Sequence, residues 1–323
     1  MLPFDCLDSI FCYCKTHKGM VALMSTNSYY RSFLYKMRWN KEPVHLPKAL
    51  DFPFYDNIEH MYFSRHGCLY PPKHLREITV RSTLSNKASS ESVQFFDYLK
   101  EFKPLYPLKV HFEKGVSSNV INLLLQIEHI TNVSIAELPY NVVMEQRNIE
   151  TLSIHVRYNM SFYGDKIILP TQVKNLKINT TSPHIFKRDV FYQMKSLIHL
   201  EIFFYDMKVD FNDYKLPQST KKLVSYGAYL PTRGFPEGIE EIIFRDKQEF
   251  LCTKTFPDSA KRLSFLKGVD SSINGSLPPN LEYLYIGGTK TVPLLADLLP
   301  KTLKELVLDY GPTPSSRFIE YTF

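Results

Sequence analysis

Apolar and polar residues alternate along this chain in short runs that share one frame. The run LPKTLKELVL (299–308) returns as LPPNLEYLYI (277–286), FPDSAKRLSF (256–265), FPEGIEEIIF (235–244), LPQSTKKLVS (216–225) and LPTQVKNLKI (169–178). Two earlier copies, PPKHLREITV (71–80) and KPLYPLKVHF (103–112), keep the proline. Prolines 72, 104, 170, 217, 236, 257, 278 and 300 each stand six residues before a position of buried type. Counting the third residue after the proline as position one, apolar side chains favour positions one, four and six. The last two alternate with polar neighbours, which sends one side of a short strand inward and the other outward. Ile58/Met61/Phe63, Ile130/Val133/Ile135, Ile149/Leu152/Ile154 and Leu197/Leu200/Ile202 fit the frame without the proline. Position four then falls at 61, 78, 110, 133, 152, 176, 200, 223, 242, 263, 284 and 306. Most steps are 19 to 24 residues, with 17 and 32 near the start.

Each unit of this kind is one strand plus a return segment, and it buries its apolar side only when neighbours stack on it. The period and the LxxLxL spacing resemble leucine-rich repeats, with Val, Ile, Phe and Met often in place of Leu. The Leu-Pro opening is similar to the irregular FNIP repeats of amoebal and giant-virus proteins, which carry Phe-Asn ahead of it; Phe211-Asn212 precedes Leu216-Pro217 here. The expected fold is an α/β repeat over 58–314, an irregular leucine-rich-repeat solenoid with a parallel concave sheet of about 12 strands. Periodicity predicts return helices at 89–102 (Ser90 as cap; Val93, Phe96, Tyr98 and Leu99 inward), 117–128 and 184–194. After residue 200 the returns shorten and become extended or single-turn. Residues 315–323 form a tail suited to cap the last strand, as solenoid ends require.

Residues 1–39 follow another pattern. Leu2, Cys6, Leu7, Ile10, Phe11 and Cys14 fall at helical spacing, Val21, Leu23 and Met24 follow a Lys/Gly break, and Ser25 to Ser28 lead into Tyr29, Tyr30, Phe33 and Leu34. Two or three short packed helices are predicted, joined to the repeats by a linker at 40–57 that holds three prolines. The order Leu2-Pro3, Leu7, Ile10-Phe11, Val21, Leu23, Ser25 and Tyr30-Arg31 resembles an F-box, with Tyr30 where that family has Trp and Cys14 where it has Leu. The resemblance implies that Leu2, Pro3, Leu7, Ile10, Phe11 and Leu23 bind a Skp-family adaptor of a cullin ubiquitin ligase.

Composition narrows the classes. Of 323 residues, 44% are hydrophobic, enough for a continuous core. The net charge of +6 is interleaved without a run of five like charges, which argues against a nucleic-acid tail. Cys6, Cys12, Cys14, Cys68 and Cys252 are odd in number and lack a disulfide or zinc spacing. Cys12, Cys14 and His17 read as helix-core thiols and a neighbour rather than metal ligands, and no cofactor is expected. A start carrying Pro3, Asp5 and Asp8 is unlike a signal peptide, and no run of 18 apolar residues exists to span a membrane. The expected location is therefore cytoplasmic or nuclear, not secreted, and the sequons at Asn132, Asn159, Asn179 and Asn274 are read as incidental.

No phosphate loop, GxSxG, HExxH or paired CxxC occurs, so no enzyme is expected. The outward positions three, five and seven instead define a surface. In the middle repeats they are polar, as at Lys109, His111, Asn132, Ser153, His155, Asn175 and Lys177. In later repeats they include Phe203, Tyr226, Ile243, Arg245, Leu266, Tyr283 and Tyr285, a candidate partner-binding patch. A slip of one residue in register would bury these side chains instead. Two functional readings remain: a target-recognition subunit of an SCF-type ligase, or a protein-binding or structural scaffold without ligase association. No small-molecule ligand is expected. Nucleic-acid binding, a third reading, rests only on the basic balance.

Overall fold

The structure is a computed structural model. It describes residues 44–45, 56, 58–63, 71–81, 90–139, 142, 144, 148–156, 167–181, 186, 189–205, 209–210, 214–229, 234–248, 256–269, 277–288, 299–309 and 318–322. The expected helices of residues 1–39, with Leu2, Pro3, Leu7, Ile10, Phe11 and Leu23, lie outside the described residues. The chain forms two compact units, Met1–Ile149 and Glu150–Phe323, dividing inside the stretch expected as one solenoid.

In the first unit, β1 (Val44–His45), β2 (His60–Phe63), β3 (Glu77–Val80), β4 (Leu108–Phe112) and β5 (Ile130–Ile135) pair in sequence order, all parallel. The ladder thus begins within 40–57, where only a linker was expected. Two helices serve as returns, α1 (Ser90–Glu101) and α2 (Ser118–Leu125). Phe95 and Phe96 of α1 pack on Phe63, with ring centroids 4.7 and 5.2 Å away. Val120, Ile121, Leu124 and Leu125 line the buried side of α2.

The second unit repeats the arrangement with no helix among its described residues. Its strands β6 (Thr151–Val156), β7 (Asn175–Thr180), β8 (His199–Phe204), β10 (Lys222–Tyr226), β12 (Glu241–Phe244), β13 (Arg262–Phe265), β14 (Tyr283–Gly287) and β15 (Glu305–Asp309) form one parallel ladder. A side pair, β9 (Val209–Asp210) with β11 (Ala228–Tyr229), is also parallel, and β16 (Phe318–Thr322) pairs antiparallel with β15. The helix expected at 184–194 does not form over 189–194, which turns instead: Gln193 N–H donates to Asp189 O and Met194 N–H to Phe191 O. Phe186 and Phe191 are buried here, and β-branched and aromatic residues are weak helix formers. Packing of these rings sets the path of the chain more strongly than the helical spacing does.

Register is uniform along the second unit; in the first it shifts once, between Leu108 and Lys109 against β5. Leu152, Leu176, Leu200, Leu223, Ile242, Leu263, Leu284 and Leu306 are mutual partners along the second unit, and Met61, Ile78, Val110 and Val133 along the first. None is more than 5% exposed. Burying each such side chain contributes roughly 1.5–3 kcal/mol. At position six, Phe244 and Phe265 stack at 5.4 Å, with Phe256 at 6.4 and 6.2 Å from them.

A backbone contact repeats beside this column. In the second unit, the carbonyl of each position-two residue from Glu150 to Glu282 accepts two N–H groups from the next repeat. Lys174 and Asn175 donate to Glu150, Glu240 and Glu241 to Lys221, Lys261 and Arg262 to Glu240, and Lys304 and Glu305 to Glu282. The proline turn closes the other end: Thr220, Ala260, Leu281 and Leu303 N–H donate to the carbonyls of Pro217, Pro257, Pro278 and Pro300. Proline offers an acceptor here and no unpaired donor. Small polar residues in the turns join neighbouring repeats, as when Asn280 donates to Asp258 O and Thr302 to Leu281 O. Gly238 occupies the same turn position at φ +106°, where a Cβ would stand 2.8 Å from Gln218 O.

Leu263→Ala is expected to cost about 2–5 kcal/mol of unfolding free energy. Ser264→Ala, one residue along and outward, should stay within about 0.5 kcal/mol. Urea denaturation of both variants checks the alternation, and equal losses would contradict it.

Candidate functional site

Positions three, five and seven of the second unit form its open face. Three parallel rows result, because uniform register aligns like positions on neighbouring strands about 4.8 Å apart. The first row runs Thr151, Asn175, His199, Lys222, Glu241, Arg262, Tyr283, Glu305, and the second Ser153, Lys177, Glu201, Val224, Ile243, Ser264, Tyr285, Val307. Ion pairs cross these rows at Lys177–Glu201 (3.0 Å) and Lys222–Glu241 (2.7 Å). Burial, and then the charge of Lys222, lowers the pKa of His199 and favours its neutral form. Along the edge at position two run Lys174–Glu150 (2.9 Å), Lys221–Glu240 (3.0 Å) and Lys304–Glu282 (2.7 Å). Ile198, 46% exposed, interrupts that series between two lysines. Exposed pairs of this type are screened by solvent, so they tune the register more than they create it.

The third row holds the aromatic surface. Phe203 and Tyr226 are register partners with ring centroids 6.4 Å apart, and Tyr205, two residues beyond Phe203, lies 5.8 Å from Tyr226 and 6.4 Å from Phe203. His155 flanks Tyr205 at 6.4 Å. Three cations surround the rings. Lys177 and Arg245 each stand 5.3 Å from the Phe203 centroid, and Lys267 stands 5.5 Å from that of Tyr226. Tyr205 is 39% exposed and Leu266, in the same row, 40% exposed.

The sequence-predicted residues separate into two groups. Phe203, Tyr226 and Arg245 come together, with Leu266 on the strand beyond Arg245; Phe203 itself is largely covered. Ile243 lies half-buried in the second row, with Ser264 between it and Tyr285. Tyr283 and Tyr285 form a separate site. The Arg262 guanidinium lies 4.0 Å from the Tyr283 ring centroid, and the Tyr285 hydroxyl donates to Asp309 Oδ2 at 2.8 Å. Gly287 makes room for that tyrosine, since a Cβ there would lie 2.9 Å from the ring and from Leu266 O. Tyr205 and Lys267 were not anticipated. Tyr205 only continues the outward alternation of His199, Glu201 and Phe203, so the pattern contains it. Lys267 lies past its strand in a turn that Gly268 completes at φ 80°, and alternation carries no signal there.

In the first unit, a recess of about 1030 Å³ is lined by Lys100–Pro107, Gln126–His129, Thr131 and Asn148. Leu105 is 65% exposed, and burial lowers the pKa of His129. Among the described residues no group of three or more His, Cys, Asp or Glu is placed to hold a metal ion. No described helix is long and apolar enough to cross a membrane.

Comparison with known proteins agrees with this repeat chemistry. Residues 271–311, which contain β14 and β15, match the family model described as FNIP Repeat. No curated protein sequence matches the chain significantly. Among solved structures, the chain is similar to CroV588, described as a novel circular LRR protein structure, at 12% identity and a TM-score of 0.40. That similarity covers 78% of this chain and 46% of CroV588, so the chain spans under half the length of that structure. The described units are parallel-sheet repeats, and residues 271–311 are similar to the FNIP Repeat model.

Burial first, then the hydrogen bond to Asp309 and its charge, push the Tyr285 hydroxyl up to about 12. An unfolded tyrosine ionises near ~10. A raised native pKa gives stability that is full below the unfolded value and lost as pH climbs through the native one. Relative to Tyr285→Phe, the wild type should therefore lose unfolding free energy between about pH 10 and 12. Denaturation curves across that range check this, and parallel pH profiles would contradict it.

Proposed function

We propose that this protein is a non-catalytic recognition subunit whose repeats hold a protein partner on the open face of the second unit. The observation that carries this reading is the Phe203–Tyr205–Tyr226 cluster, an aromatic surface fixed by strand register and ringed by cations. Tyr and Arg on a rigid support are the residues that most often dominate protein–protein affinity. Phe203, Tyr226, Arg245 and Leu266 form the central contact; Ile243, Tyr283 and Tyr285 extend it.

The finer part of the proposal is that Leu2, Pro3, Leu7, Ile10, Phe11 and Leu23 dock on a Skp-family adaptor and bring the bound target to a cullin ubiquitin ligase. It is supported by the F-box resemblance of those residues. The subunit then acts by proximity and makes or breaks no bond itself. A scaffold that uses the same face without an adaptor is the competing reading.

Co-expression with a Skp-type adaptor separates the two. The wild-type chain is expected to co-purify with the adaptor, and Ile10→Asp with Phe11→Asp is expected to abolish the complex. No complex, or one indifferent to the double substitution, would overturn the ligase role and leave the scaffold.

A further inference from the structure

Two of the three cations at the aromatic cluster, Arg245 and Lys267, differ from Lys177 and from Lys222 on the same face. Lys177 and Lys222 each meet a carboxylate, Glu201 and Glu241, at 3.0 and 2.7 Å. Arg245 and Lys267 are exposed, and among the described residues no carboxylate pairs with either; the contacts they make are with the faces of Phe203 and Tyr226. The nearby Asp246 is committed elsewhere, accepting from Gly227 N–H at 3.0 Å and Gln248 Nε2 at 3.0 Å. Two positive charges that no described carboxylate pairs therefore lie in the patch whose exposed apolar members are Tyr205 and Leu266.

Resting on the reading that this face binds a protein, we propose that its occupant is an acidic, extended segment of that partner. Apolar side chains of the segment would rest on Tyr205 and, three strands further along the ladder, on Leu266, and its Asp or Glu carboxylates would meet Arg245 and Lys267. A carboxylate fits the guanidinium of Arg245 in a bidentate way, and the ring beneath holds that guanidinium in place. Charge complementarity of this kind selects the partner and speeds its capture.

A nucleic-acid strand fits less well. Two cations release about two counterions, whereas proteins that hold duplexes firmly neutralise roughly 6–10 phosphates. Cations, moreover, already lie over the Phe203 and Tyr226 rings that bases would need for stacking.

Selection of short random peptides on the full-length protein tests the proposal, with Tyr205→Ala and the pair Arg245→Glu plus Lys267→Glu as counter-selections. All three side chains are exposed, and equal thermal melting of the variants confirms that they fold; Arg245→Gln with Lys267→Gln replaces the reversal if it does not. The expected result is enrichment of acidic peptides carrying an apolar anchor. Their affinity should fall about tenfold or more on either counter-variant and on replacing their Asp and Glu by Asn and Gln. Enriched peptides that are not acidic but are still lost on Tyr205→Ala would overturn the acidic partner while leaving a protein-binding face. No enrichment over Tyr205→Ala would overturn both. An oligothymidine that binds more tightly than any selected peptide, and is lost on the charge reversal, would replace the protein partner with nucleic acid.

Discussion

Leu152, Leu176, Leu200, Leu223, Ile242, Leu263, Leu284 and Leu306 stand in line because every strand of the second unit pairs with the next in the same register. A slip of one residue at any rung would turn that column to solvent and bring positions three and five inward, with charged residues such as Lys177, Glu201, Lys222 and Glu241 among them. Eight such side chains at roughly 1.5–3 kcal/mol each set a cost that surface contacts cannot match. All other features of the unit inherit this alignment, including the row in which Phe203 meets Tyr226.

Backbone hydrogen bonds reinforce the register without regard to side-chain identity. The position-two carbonyl takes two donors whether its residue is Glu150, Lys174, Ile198, Lys221 or Glu282. Side chains there are free to vary in charge, and Ile198 shows that even the alternating ion pairs are dispensable at one rung. Turns behave differently. At Gly238 the backbone of the previous repeat approaches so closely that no side chain fits. Not every inward position is optimal, since Ser225 is fully buried at position six and its hydroxyl has no hydrogen-bond partner among the described residues.

Much of this was legible in the sequence, because the signal is periodic. All twelve position-four residues read from the frame are buried, and the helices expected at 89–102 and 117–128 exist as Ser90–Glu101 and Ser118–Leu125. The turn at 189–194 was misread because helical spacing also describes residues that pack from an irregular path, as Phe186 and Phe191 do. Strand β1 was missed because two paired residues are too few to establish a period. Within the surface, alternation told which residues face outward but not which of them meet. Contact depends on the rank of each strand in the ladder, and Ser264 therefore separates Ile243 from Tyr285.

A rigid rung structure also explains why function would reside in a surface rather than a pocket. Strand pairing fixes the backbone at Phe203 and Tyr226, and a partner bound there as proposed would meet a backbone already in place, which lowers the entropic cost of binding. Residue-resolved amide hydrogen exchange tests the shared register most directly. Amides of Arg262–Phe265, Tyr283–Ile286 and Glu305–Leu308 should be protected together, as should the paired donors Lys261/Arg262, Glu282/Tyr283 and Lys304/Glu305. Exchange of these amides at loop rates, or protection offset by one residue between neighbouring repeats, would contradict the register and the surface built on it.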